Sequence, residues 1–301
     1  MDNIQLLLQA PVFSVQLLVD GVLVGAIFVL AAYGMALVWG VMNIINVAQG
    51  ELVILGGYVT WTVFSLGAHP LVGIPVSAAV LFVVGWCLYH VVVFRLVERD
   101  LFVSLLATFG ISILLQQLMN HNLVFGPDIH SADPGLGSLF LHGGDIVIAN
   151  IKLVAFAMAL LIAVALAVFM KRSRAGRAIR ATAQNNRAAR LMGVDTDRVY
   201  ALTFALNAAL CGAAGALVVM VWVIHPFIGI IYTVRSFMIV VVAGIGNVAG
   251  VVLAGLGLGA AENFAGFILG AEFQAAFVFS LLVVILLWRS FRLGRRRQVL
   301  R

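Results

Sequence analysis

The segment MIVVVAGIGNVAGVV, Met238–Val252, admits two folds. Read in water, it is a buried β-strand running into Gly244-x-Gly246-x-x-Ala249, the glycine-rich turn that admits a pyrophosphate to a helix N-terminus. Read in lipid, it is an apolar helix broken by glycines. The solvent decides between them. Of 301 residues, 63% are hydrophobic and 10% charged, against roughly 25% charged in a soluble domain. Such a chain cannot cover itself with polar surface. No βαβ context surrounds the glycines, and Glu262 downstream falls in a helix of membrane-spanning length. The segment therefore reads as a broken membrane helix, and a nucleotide site is set aside.

Working outward, the apolar residues come in long blocks, most of them about 18 residues or more, the length that crosses the hydrocarbon core as helix. They run from Leu17 to Gly40, Glu51 to Leu66, Leu71 to Phe94, Leu101 to Met119, Ile151 to Met170, Val199 to Ile224, Ser236 to Gly266 and Phe273 to Trp288. The expected fold is an all-α integral membrane protein, a polytopic helical bundle of about eight hydrophobic segments with broken or re-entrant helices. Residues 1–301 read as one transmembrane domain with a cytoplasmic loop at about 171–198. Met1 to Gln16 holds no Lys or Arg, so the first block is expected to be retained rather than cleaved as a signal peptide.

The positive charges set the orientation. Of 18 Lys and Arg, all but Lys152 and Arg235 fall at Arg95 and Arg99, between Lys171 and Arg198, or from Arg289 to Arg301. The positive-inside rule assigns those three places to the cytoplasm. The connection from Asn120 to Asn150, with Asp and His but no Lys or Arg, belongs outside. The net charge of +6 is then a topology signal, and nucleic-acid binding is not implied. A parity problem follows, because a loop at His225 to Arg235 should be outside and the tail inside, with two blocks between them. The economical resolution is that Ser236 to Gly266 goes in and returns, with its break at Gly244-Ile245-Gly246-Asn247.

Polar residues inside apolar blocks mark where function could lie. VMNIINVAQGELVILGGY carries Asn43, Asn46, Gln49 and Glu51, side chains that are costly at membrane depth unless they face a bundle interior or an aqueous path. The plainer alternative is a wet interfacial loop. Asn247 and Glu262 raise the same question; for any one such residue an interhelical hydrogen bond is the commoner role. The longest polar run, KRSRAGRAIRATAQNNRAARLMGVDTDR, reads as a surface helix ending at Gly193. It either sets topology alone or docks a soluble partner through Asn186, Arg187, Ala188, Ala189, Arg190 and Gly193. Gly21-x-x-x-Gly25 and Gly255-x-x-x-Gly259 suit close helix packing, within a bundle or in a dimer. Cys87 and Cys211 both lie in blocks and read as packing residues.

No P-loop occurs, nor His-Glu-x-x-His, Cys-x-x-Cys or Gly-x-Ser-x-Gly. Neither a cofactor nor a metal site is expected, and no enzymatic constellation can be assembled. If ATP powers this protein, another subunit must bind it.

Taken together, Gly21-x-x-x-Gly25, MNIINVAQGELVILGGY, GRAIRATAQNNRAARLMGVDTDRVYALTFALNAALCGAAGAL and SFMIVVVAGIGNVAGVVLAGLGLG resemble, in this order, the branched-chain amino acid ABC-importer permeases of the LivH type. The resemblance spans essentially the whole chain. It implies a multi-pass subunit of a bacterial inner membrane, paired with a second, LivM-like permease, two cytoplasmic ATP-binding subunits and a periplasmic substrate-binding protein. By the family pattern the coupling helix maps onto Ala181 to Val194. The family commonly has His where this chain has Gln49, and Arg-Pro-x-Gly-Leu where it reads Arg289-Ser290-Phe291-Arg292-Leu293, so the last span is expected to end less rigidly. Importers of urea or short amides resemble this chain throughout, and a secondary transporter with broken helices is the rival of another class.

Overall fold

The computed structural model describes residues 11–97, 99–141, 146–244 and 246–299. Its helices are α1 (Pro11–Met42), α2 (Gln49–Ser65), α3 (Gly73–Val91), α4 (Leu101–Asn120), α5 (Asn150–Arg172), α6 (Arg174–Gln184), α7 (Asn186–Leu191), α8 (Thr196–Val221), α9 (Gly229–Ala243), α10 (Val248–Leu269) and α11 (Gln274–Val299). Seven stretches among the described residues are long and apolar enough to cross a membrane, in α1, α3, α4, α5, α8, α10 and α11. Helices α2 and α9 are shorter. Among the described residues the all-α expectation has one exception, a pair of strands, β1 (Ser138–Leu141) and β2 (Ile146–Ala149), in the outer connection.

The two short helices resolve the parity problem. The inner end of α1 stands beside Leu96, Arg99 and Thr182 to Asn186, so α1 runs inward. Gln49, at the start of α2, donates from Nε2 to the Ala31 carbonyl at 2.8 Å, which lies three turns, or roughly 16 Å, back along α1 from Met42. The chain thus climbs back through residues 43–48 as non-helical backbone and becomes helical again only at Gln49, inside the membrane. On the other side, α8 ends at Val221, residues 222–228 dive, and α9 starts at Gly229 against Gly50 and Glu51. Arg235, expected in an outer loop, is therefore inside a helix. As the parity argument required, the chain then goes in along α9 and returns along α10, with α11 carrying the tail inward. The break falls at Gly244 and Gly246, both with φ above +80°, a conformation that glycine adopts without strain; Ile245 lies outside the described residues. Helix α11 continues to Val299 through the segment that lacks the family's proline.

These elements form two inverted halves. Helices α1 to α4 present a long span, an extended re-entrant stretch, a short helix and two spans. Helices α8 to α11 repeat that order in the opposite direction. The packing obeys the same exchange: α1 lies on α10 as α8 lies on α3, α9 lies on α1 as α2 lies on α8, and α2 meets α9 at the centre. This is the arrangement of an inverted repeat about an axis in the membrane plane. Helix α5, with α6 and α7, joins the halves.

Small residues make the close seams, because lipid gives helices no hydrophobic reason to associate and backbone proximity must supply the attraction. A Cβ on Gly21 would lie 2.6 Å from Ala260 Cα, and one on Gly25 2.7 Å from the Gly255 carbonyl, so both Gly-x-x-x-Gly pairs serve α1–α10 packing within the chain. On α3, Ser77 Oγ donates to the Gly212 carbonyl of α8 at 2.9 Å. Cys211 is buried in α8 as a packing residue, whereas Cys87 is exposed on α3.

Candidate functional site

The re-entrant segment solves a specific problem: extended backbone inside a membrane must have its polar groups satisfied by protein. Asn43, at φ 53°, ends α1. Thr108 of α4 accepts from the Val47 amide at 3.2 Å and donates to the Ile45 carbonyl at 3.1 Å. Thr233 of α9 accepts from the Gly50 amide at 2.8 Å and donates to the Val47 carbonyl at 2.9 Å. Asn46 accepts from the Ala48 amide and donates to Gln49 Oε1 at 3.3 Å. Asn46 and Gln49 are 0% exposed, so the reading of this stretch as a wet surface loop fails. Asn43 alone of the group is exposed, at the inner end.

Glu51 stands where the two short helices meet. Its side chain is 1% exposed, accepts from Ser112 Oγ at 3.4 Å, and its Oε2 has no hydrogen-bonding partner among the described residues. It lies in the first turn of α2, and a Cβ on Gly229, the first residue of α9, would sit 2.5 Å from the carboxylate. Both helix N-termini, each carrying about half a positive charge, therefore adjoin this one carboxylate. Thr108, Thr233, Ser112 and Gly229 were not singled out from the sequence. Ser104, Thr108 and Ser112 do recur every fourth residue on the buried face of α4, a small polar stripe that marks an interior face.

A second charged centre joins α9 to α10. Arg235 Nε donates to Glu262 Oε2 at 3.0 Å and a second N–H reaches Oε1, making a bidentate pair. The guanidinium lies 4.6 Å from the Phe28 ring centroid and 5.3 Å from that of Tyr232, a cation–π arrangement. Trp222 stacks on Phe28 from the re-entrant stretch. Glu262 thus spends its charge on Arg235. Asn247 caps α10 by accepting from the Gly250 amide at 3.0 Å, at the far end of α9 from Glu51. Asn46 bonds Gln49, whose side chain reaches α1, whereas Glu51 faces Ser112 and Gly229, and Asn247 and Glu262 make their bonds within α9 and α10.

On the cytoplasmic face the Ala181–Val194 stretch, expected as one helix, is broken. Asn185 is extended (φ −159°, ψ 105°), ends α6 and caps α7 by accepting from the Ala188 amide at 3.0 Å. Gly193 ends α7 at φ 83°, as its placement in the sequence predicted. Arg187 and Ala188 are exposed and Ala189 is buried. Leu191 and Met192 are 88% and 84% exposed, an apolar pair projecting from the corner. A cleft of about 700 Å³ separates Thr182 to Asn186 from the inner end of α1, Trp39 to Ile44.

A polytopic bundle with inverted halves, re-entrant helices meeting around a buried carboxylate and a structured cytoplasmic corner defines a membrane permease. Over residues 17–287 the chain matches the family described as branched-chain amino acid transport system / permease component, and it belongs to that family. It is 32% identical over 296 residues to the high-affinity branched-chain amino acid permease LivH of Salmonella typhimurium, covering 91% of this chain and 93% of that protein. It is also 32% identical over 291 residues to BraD of Pseudomonas aeruginosa, and 27% identical over 228 residues to a probable LivH of Methanocaldococcus jannaschii. No solved structure matches the chain. The protein is a multi-pass inner-membrane transport subunit and not itself an enzyme.

Proposed function

We propose that this chain forms a single permease domain of an ATP-driven importer of branched-chain amino acids, working with a second, LivM-like permease, two cytoplasmic ATP-binding subunits and a periplasmic substrate-binding protein. The match along 91% of the chain to permeases named for branched-chain amino acids carries this reading and favours it over urea or short amides. The α6–α7 corner is the ATPase-docking element: it projects on the basic face, and Leu191 and Met192 are apolar groups that a partner would bury. Arg187, Ala188 and Gly193 belong to the same surface. Asn43, Asn46, Gln49 and Glu51 border the route that opens when α2 and α9 part, while Asn247 and Glu262 act by holding α9 and α10 in place.

Replacing Leu191 and Met192 together by Ser tests the docking assignment. Burying two such side chains contributes about 1.5–3 kcal/mol each, so recovery of the ATP-binding subunits with the permease should fall at least tenfold, with uptake of labelled leucine falling in parallel. Membrane insertion should be unchanged, because both residues lie outside the spans. Full recovery and full uptake would contradict the assignment.

A further inference from the structure

Given that docking reading, on which this inference rests, Arg190 has a different task from the exposed residues beside it. Its Nε donates to Thr196 Oγ1 at 2.6 Å, and Thr196 is 3% exposed in the first turn of α8. A contact with Asp197 at 3.9 Å is between two solvent-exposed side chains and contributes little. The charge-assisted bond to a buried hydroxyl is the stronger tie. At the opposite end of α7, Asn186 Nδ2 donates to the Tyr200 hydroxyl at 3.4 Å. Thr196 and Tyr200 are one turn apart, so α7 is attached at both ends to one face of α8.

The extended Asn185 interrupts the helix between α6 and α7, and the cleft of about 700 Å³ stands between this corner and the inner end of α1. Through Asn186 and Arg190, a force applied to α7 reaches α8 directly. Helix α8 packs against α1, α2 and α3 and ends at the re-entrant stretch that leads to Gly229 and the Glu51 carboxylate. We propose that Arg190, through Thr196, is a positioning residue that ties the docked α7 corner to α8 and so transmits ATPase movement to the junction of α2 and α9.

The test uses the assembled importer in proteoliposomes, with Arg190→Gln, Thr196→Val, the double variant and Arg190→Lys. Recovery of the ATP-binding subunits and the rate of ATP hydrolysis should stay near wild type in Thr196→Val, whose buried side chain lies off the docking surface. Leucine taken up per ATP hydrolysed should fall about tenfold in Arg190→Gln and in Thr196→Val, the size expected from losing one charge-assisted hydrogen bond. The double variant should be no worse than either single one, because the two residues act as one unit. Arg190→Lys, which keeps a charged donor, should recover part of the loss. Unchanged uptake per ATP in Arg190→Gln, or losses that multiply in the double variant, would overturn the proposal. Loss of the ATP-binding subunits in Arg190→Gln would make Arg190 a docking contact and equally overturn it. Failure of the docking reading itself shows elsewhere, as full ATPase recovery in the Leu191/Met192 variant.

Discussion

Replacing Arg235 by Met is expected to destabilise the folded chain by about 3–5 kcal/mol, because it strands the Glu262 carboxylate without its partner inside the membrane. The pair is almost wholly enclosed, with side chains 14% and 6% exposed, so solvent cannot take over the role of the guanidinium. The replacement also removes the charge that lies over Phe28 and Tyr232 and the ion pair that ties α9 to α10. The corresponding double variant, Arg235→Met with Glu262→Leu, removes both charges and both desolvation costs. It should be more stable than the Arg235→Met single variant, by at least 1 kcal/mol on the usual behaviour of buried pairs. Thermal unfolding in detergent, together with the amount of protein recovered from membranes, measures both. A single variant as stable as wild type would show that the pair does not join α9 to α10.

Gly229→Ala is the second large effect. The new Cβ would sit 2.5 Å from the Glu51 carboxylate, and Gly50 faces the Gly229 carbonyl from the other side, so neither short helix can yield without moving its N-terminus. Overpacking of this kind costs about 1–3 kcal/mol. The cost falls on the place where the two halves meet, and the expected outcome is a folded protein with leucine uptake reduced to a few per cent, on the order of 2 kcal/mol. Glu51→Asp in the same chain withdraws the carboxylate by one methylene and should restore part of the uptake, a non-additive result that only contacting residues give. Gly257→Ala is the control: a Cβ there meets nothing within 4 Å, and the variant should behave as wild type. Normal uptake by Gly229→Ala would show that the junction tolerates separation.

How much of this was legible in the sequence differs from residue to residue. The spans and the break at Gly244 and Gly246 followed from hydropathy, which reports directly on the cost of polar groups in lipid. The starts of α2 and α9 did not. An averaged hydropathy reads residues 43–48 and 222–228 as loops, whereas the first is satisfied by Thr108 and Thr233, two hydroxyls from distant helices, and the second by the backbone of His130, which pairs with Ile224. Arg235 read as a loop residue for the same reason. A charge looks external until its partner is known, and Glu262 lies 27 residues away in sequence. The inverted halves left no visible repeat, because the equivalent short helices begin Gln-Gly-Glu in one half and Gly-Ile-Ile in the other. Asn46, Gln49 and Glu51 were legible as costly polar residues and are buried, yet the groups that surround them, Ser112, Thr233 and Gly229, are small residues of little hydropathic weight.

The account's central claim is that this chain moves branched-chain amino acids only as part of an ATP-driven assembly. Uptake of labelled leucine into proteoliposomes holding this chain, its partner permease and the ATP-binding subunits tests it most directly, with ATP and the binding protein each supplied or withheld. The predicted result is uptake that requires both additions and is unaffected by excess urea. Uptake driven by an ion gradient in the absence of ATP, or uptake of urea in place of leucine, would contradict it.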